Sequence, residues 1–170
     1  RVNNTSEPGS PRNAPRVMTT GQVIMVNHQP LDAGGWPSTH EDITERHRNA
    51  ETIRYMARHD SLTGLSNRVT FLDAMAEAEK RIEIGELLAV MCIDLDRFKE
   101  INDSLGHAVG DAVLTGISGR LLSVLDGKGI TARLGGDEFA ALVGPLDSEE
   151  EALEIAEALV ALLGAPLVVD

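Results

Sequence analysis

Asp94-Leu95-Asp96 closes one apolar run, and Gly135-Gly136-Asp137-Glu138 lies between two others. If the strands these runs suggest pair side by side, three or four carboxylates converge on one sheet edge. They would repel one another unless a hard cation sat among them, and Mg²⁺ is usually held by carboxylates together with substrate phosphates. The glycines support that reading, because bare backbone lets a phosphate or a second chain come close. An acidic residue at a strand end, taken singly, is an ordinary solvated loop residue. The combination carries the argument.

Asn102 and Asp111 form a second pair, nine residues apart. On one unbroken helix they would point roughly 180° apart, at about 100° per residue. Gly106 and Gly110 would let the chain reverse between them, so that both face one pocket. A carboxylate can accept from the ring N–H and exocyclic amine of guanine, while an amide addresses O6 or N3. The alternative is capping, with Asp111 as N-cap of a second helix. Lys99 and Arg133 are the cations nearest in sequence. Lys99 suits a phosphate, and Arg133 suits a phosphate or a surface carboxylate equally. His107, beside the Gly106 break, suits capping, packing or a ligand contact.

The elements that must position these residues follow from apolar periodicity. Residues 87–94 are apolar almost without alternation, which predicts a central strand buried on both faces. Residues 98–124 predict helix interrupted at Gly106 and Gly110. Residues 130–134 and 138–143 predict a hairpin across the Gly-Gly turn. An amphipathic helix over 148–163 opens on Glu149, Glu150 and Glu151, which suits the helix dipole, and 167–169 begin a strand. Ahead of these, 69–82 predict a helix with Phe71, Leu72, Met75 and Ala78 on one side. The expected fold is α/β (α+β): a ferredoxin-like, nucleotidyl-cyclase-like βαββαβ layer lacking its last strand.

The N-terminal part reads differently. Residues 1–16 predict a loop, 17–30 two short strands about Gly21, and Gly34-Gly35 a turn. Residues 41–59 predict a helix with Asp42 or Thr44 as N-cap. Ile43, Ala50 and Ala57 recur every seven residues, though Arg46 interrupts the seam, so a surface linker and a short parallel coiled coil are both open. The expected divisions are 1–40, a helical linker at 41–59, and 60–170.

Composition narrows the function classes. The formal net charge of −12 argues against nucleic-acid binding, which needs a basic surface. With aromatics at 3%, the core must be aliphatic. Cys92 reads as a buried small hydrophobe, and no apolar run reaches the about 18 residues of a membrane span. No signal peptide is visible, so a cytoplasmic location is expected, with any membrane tether upstream. Because the chain opens on Arg1 and stops where a strand begins, both ends are expected to be cuts through a longer protein.

Taken in order, Asp60-Ser61-Leu62-Thr63-Gly64-Leu65-Ser66-Asn67-Arg68, Asp94-Leu95-Asp96-Arg97-Phe98-Lys99-Glu100-Ile101-Asn102-Asp103, Gly106-His107-Ala108-Val109-Gly110-Asp111 and Arg133-Leu134-Gly135-Gly136-Asp137-Glu138-Phe139 resemble the successive motifs of GGDEF-domain diguanylate cyclases. That resemblance implies Mg²⁺- (or Mn²⁺-) dependent condensation of two GTP into cyclic di-GMP and two pyrophosphates. One GTP is held by each of two facing domains, hence a homodimer, and each 3′-hydroxyl attacks the opposite α-phosphorus. By the same resemblance Asp94 and Asp137, with the Leu95 carbonyl, hold the metal, and Asp137 accepts the hydroxyl proton. Asn102 and Asp111 read guanine with His107 adjoining, Lys99 stabilises phosphate charge, and Glu138 is a supporting carboxylate.

Two departures from the family pattern matter. Its inhibitory Arg-x-x-Asp motif falls here on Asp126 and Gly129, so that site is expected to be absent. Family domains also continue about half as long again, through a core strand and a helix bearing Lys and Arg for the triphosphate, so these 170 residues alone are expected to be inactive. Gly34-Gly35-Trp36-Pro37-Ser38-Thr39-His40-Glu41-Asp42-Ile43-Thr44-Glu45-Arg46 resembles the last strand and exit of a PAS sensor domain. The alternative function is a catalytically silent GTP-binding GGDEF domain that regulates a cyclic di-GMP phosphodiesterase (EAL) domain downstream.

Overall fold

The computed structural model of the protein describes residues 12–29 and 37–168. The chain divides into two compact units, Arg1–Arg54 and Tyr55–Asp170, with the division inside the helix expected to act as linker.

The first unit contains an antiparallel sheet of β1 (Arg12–Val17), β2 (Val23–His28) and β3 (Ser38–Asp42), with β2 in the middle. β1 starts inside the stretch expected to be loop. Its Pro15, in register with Met25, is tolerated because β1 is an edge strand that needs hydrogen bonds on one side only. Pro37 lies just ahead of β3, where its carbonyl accepts from Gln29 N at 3.2 Å. The Gly34-Gly35 turn and most of the 1–16 loop lie outside the described residues.

Glu41 and Asp42, expected in the helix, belong to β3, and α1 runs Thr44–Met56. Asp42 acts locally instead. Its carboxylate accepts from the Thr44 hydroxyl and, at 2.9 Å, from Thr44 N, while Val23 N donates to Thr44 Oγ1 at 2.9 Å. The Thr44 contacts hold the Asp42 carboxyl below its ordinary range. Ile43, the first residue of the expected heptad seam, is buried in this unit, so it is not available to a partner helix. Ile53 and Met56 are exposed.

The second unit orders α2 (Arg68–Glu83), β4 (Leu87–Asp94), α3 (Phe98–Leu105), α4 (His107–Leu125), β5 (Gly129–Gly135), β6 (Glu138–Leu146) and α5 (Glu149–Leu163). Its sheet runs β4-β6-β5, with β6 antiparallel to both neighbours. The central strand is therefore β6 and not β4, as the burial of its 139–143 stretch reflects. β4 is half-exposed along its length, with Val90 at 48%. Cys92, expected to be buried, is exposed as well. The reason is that α2 lies mainly across β5 and β6 and leaves that face of β4 uncovered.

The core is aliphatic with the few phenylalanines set into it. On one face Leu114, Ile117, Leu121 and Leu125 of α4 pack with Phe139, Ala141 and Val143 of β6 and Ile155 and Leu159 of α5. On the other, Phe71 and Ala78 of α2 pack with Ala132, Ala140 and Leu142. Leu72, expected on the buried side of α2, is 57% exposed, and Ala74 takes its place in the contact. At about 1.5–3 kcal/mol per fully buried large apolar side chain, these layers are what fix the sheet's edge in place. By length and composition α4 alone among the described helices could cross a membrane, although Asp111 and Arg120 keep it from being an unbroken apolar run. Its leucine face, however, is the core of this unit.

Ser148 caps α5 by accepting from Glu151 N at 3.3 Å, and Asp147 N donates to the Glu151 carboxylate at 2.9 Å. Residues 165–168 form no strand. They are held instead by Arg120, whose guanidinium donates to the carbonyls of Leu162 (3.0 Å), Ala165 (2.7 Å) and Pro166 (2.6 Å). Arg120→Met keeps most of the apolar stem but removes every donor, and is expected to lower stability by about 1.5–3 kcal/mol in urea unfolding.

Candidate functional site

The turn between β5 and β6 is set by sequence. Gly135 and Glu138 are register partners, so Gly136 and Asp137 form the two-residue loop, and Gly136 has φ 55°. Asp94, the last residue of β4, is in register with Glu138. The end of β4 and the hairpin tip are thereby brought to one edge of the sheet, as the sequence predicts.

The expected crowding of three or four carboxylates does not form. Among the described residues no three His, Cys, Asp or Glu side chains gather around one point. Asp94, Asp96 and Glu138 are exposed and Asp137 is half-buried. Like charges with water available separate and hydrate singly. What remains is an open set of hard oxygen donors. The Leu95 carbonyl accepts from Phe98 N at 3.2 Å, which leaves it a second lone pair. Between them Arg97 stands at φ 59°, a left-handed conformation rare outside glycine, and starts α3 so that exposed Lys99 lies in its first turn.

The break between α3 and α4 lies at Gly106 alone, whose φ of 88° turns the chain; Gly110 is inside α4. Gly110 has a different task. A Cβ there would lie 2.0 Å from Asn102 Oδ1, 3.0 Å from its Cγ and 3.3 Å from Phe98 Cζ. The missing side chain is the space that the Asn102 amide occupies. Asn102 is thus brought against the helix position next to Asp111, which is exposed, as is His107. Asp111 is not an N-cap, since α4 begins at His107 and its cap residue is Gly106. The capping alternative is removed.

One residue that sequence reasoning left open proves central to the tip. Arg133 donates from Nη1 to both oxygens of Asp60 (3.1 and 3.3 Å), and from Nε and Nη2 to the Gly136 carbonyl (2.9 and 2.7 Å). The pair is sheltered, with side-chain exposures of 13% for Arg133 and 24% for Asp60. Burial alone would raise the Asp60 pKa, but hydrogen bonds from the Thr63 hydroxyl and N–H and from Arg133 outweigh it and hold it below the usual range. The only sequence signal was local: Asp60 and Thr63 stand three apart, the spacing of a side chain closing a turn.

That shift has a pH consequence. Unfolded Asp titrates near about 3.9, and the folded carboxyl lies lower, so its stabilisation is complete above that value and is lost as pH falls through the folded pKa. Asp60→Asn is expected to lower stability at neutral pH by about 1–3 kcal/mol. The difference from wild type should shrink steadily in urea melts taken below about pH 4.

Gly129, where the inhibitory motif of the resembled family would need Asp, has no room for a side chain: a Cβ would lie 2.0 Å from the Leu142 carbonyl oxygen.

The second unit is thus a βαββα layer with an acidic strand end set beside a Gly-Gly turn. Residues 57–170 match the family model "Diguanylate cyclase, GGDEF domain", and residues 1–51 match a PAS fold. The chain belongs to the GGDEF family. Over 117 residues it is 49% identical to the diguanylate cyclase TpbB of Pseudomonas aeruginosa, covering 68% of this chain and 27% of TpbB. It is 42% identical over 120 residues to the cyclic di-GMP phosphodiesterase NbdA of the same species, covering 70% of this chain and 15% of NbdA. The solved GGDEF domain of TpbB aligns at a TM-score of 0.62 and 50% identity, over 66% of each chain. The match therefore spans less than a third of the length of TpbB and of NbdA.

Proposed function

We propose that residues 60–170 are the nucleotide-binding part of a diguanylate cyclase, which condenses two GTP into cyclic di-GMP across a homodimer. The observation that carries the reading is the Asp94–Glu138 register, which sets the end of β4 against the Asp137 turn. The donor set fits a hard cation: carboxylates and a carbonyl, no nitrogen or sulfur, open to solvent so that phosphates and water complete the shell. Asp94, Asp137 and the Leu95 carbonyl would hold Mg²⁺ (or Mn²⁺), which when bound would neutralise triphosphate charge and polarise the α-phosphate.

The chain's own residues do the rest. Asn102 and Asp111 orient the guanine, His107 borders it, and the Lys99 ammonium stabilises phosphate charge. Asp137, half-buried at the turn, accepts the proton of the attacking 3′-hydroxyl, and Glu138 supports the local charge. Residues 1–43 are then the end of a PAS sensor, and 44–59, which α1 opens, the linker that sets how two cyclase domains meet. Since GTP is the substrate, the location is the cytoplasm. The alignment leaves about a third of the TpbB domain structure uncovered, which supports the reading that these 170 residues alone turn over little.

The test is incubation with Mg·GTP of a chain spanning the whole domain, with pyrophosphate and cyclic di-GMP both measured. GTP binding without pyrophosphate release would favour the second reading, a silent GTP-binding domain that regulates an EAL phosphodiesterase domain downstream. The likeness to NbdA is what keeps that reading in play.

A further inference from the structure

Arg133 does more than stabilise the hairpin, because the groups it joins belong to different parts of the second unit. One side of its guanidinium holds the Asp60 carboxylate and the other the Gly136 carbonyl. Asp60 closes its own turn by accepting from Thr63 N (2.9 Å) and Thr63 Oγ1 (2.7 Å), and its N–H donates to Leu65 O at 2.8 Å. Ser66 then lies alongside β5: its N–H donates to Thr131 O and its carbonyl accepts from Arg133 N at 2.9 Å. The backbone of Arg133 and its side chain thus grip the same segment at two points.

That segment in turn holds the residues after it and before it. Asn67 caps α2 through Thr70 N (3.0 Å), and its amide donates to Ala57 O at 3.0 Å. Asn67 N donates to Arg58 O at 2.9 Å, and Thr70 Oγ1 to the same carbonyl at 2.7 Å. A continuous set of hydrogen bonds therefore leads from residues 57–58 through 60–67 to the carbonyl immediately before Asp137.

We infer that Arg133 is a positioning residue that couples residues 60–66 to the turn of Gly136 and Asp137, so that Mg·GTP at the turn and order in that segment stabilise each other. Coupling of this kind is reciprocal by thermodynamic necessity. The physical ground is the fork geometry. A planar guanidinium serves a carboxylate and a carbonyl at once, whereas a lysine ammonium keeps the charge and cannot keep both contacts. The inference rests on the proposed GTP site only for its ligand; the positioning of the turn is a property of the free protein.

The experiment is amide hydrogen exchange on the 170-residue chain, wild type against Arg133→Lys and Asp60→Asn, without ligand and with saturating Mg·GTP, alongside Mg·GTP titration. Without ligand, exchange at Glu138, which closes the hairpin opposite Gly135, should quicken about tenfold in both variants relative to core amides such as Val143. With Mg·GTP, the amides of Thr63, Gly64 and Leu65 should be protected in wild type and not in Arg133→Lys, whose affinity should fall about tenfold. An unchanged Glu138 amide in the free variants would overturn the inference. So would wild-type binding with no protection at 63–65. Wild type that fails to bind Mg·GTP while the Glu138 amide responds to the substitutions would overturn the GTP site and leave Arg133's positioning role established.

Discussion

Asp137→Ala is expected to abolish cyclic di-GMP formation from Mg·GTP, with a loss of roughly a thousandfold or more. Removing a general base costs about 10²–10⁴-fold, and here the same carboxylate would also be a cation ligand. The fold should survive. Asp137 stands in a two-residue loop outside both hydrophobic clusters, and the neighbouring Gly136 carbonyl keeps its bonds from Arg133. Thermal unfolding should therefore move by no more than a few degrees, consistent with a substitution away from the core. Glu138→Ala, at an exposed strand position, should lose much less. The measurement is pyrophosphate release and product chromatography on a chain spanning the full GGDEF domain. A variant that kept a tenth of wild-type turnover would remove Asp137 from the chemistry and move the proton acceptor elsewhere.

How much of this could be read from the residues depends on range. Asp94-Leu95-Asp96 and the Gly135–Glu138 stretch were legible because apolar runs stop abruptly at them, and strand ends are where a sheet presents its chemistry. The rank of the strands was not legible. An unbroken apolar run reads alike whether a strand has neighbours on both sides or on one, so the pattern alone predicts a central β4 and a buried Cys92. Gly110 is ambiguous in sequence for a related reason. A glycine in a helical stretch announces missing bulk, but not whether the chain turns there or a neighbour needs the space. The Asp60–Arg133 pair spans 73 residues of sequence and obeys no periodicity, so only folded geometry could join it. β1 was hidden by Pro15, which is a strand breaker everywhere but at an edge.

Gly110→Ala puts two of these physical effects in opposition and should separate them. Alanine inside a helix gains up to about 1 kcal/mol over glycine, by restricting the unfolded chain and lowering the cost of helix formation. At this position the new methyl falls where Asn102 Oδ1 now lies, 2.0 Å away, so the amide must leave. Because the obstructing atom ends a side chain, the structure can yield by rotating Asn102 outward. The stability gain and the displacement then roughly offset, and unfolding should shift by less than about 1 kcal/mol. Guanine recognition should not be spared. A site built to hydrogen-bond a base loses discrimination steeply once one partner is misplaced, so GTP affinity should fall at least about tenfold. The preference for GTP over ATP should narrow with it. Gly119→Ala is the matched control, since it lies in the same helix and its added Cβ would meet nothing within 4 Å. It should show the helix gain alone, about 0.5–1 kcal/mol, with nucleotide binding unchanged. If both variants bound GTP like wild type, Asn102 would not be touching the base, and the close approach at Gly110 would be packing between α3 and α4.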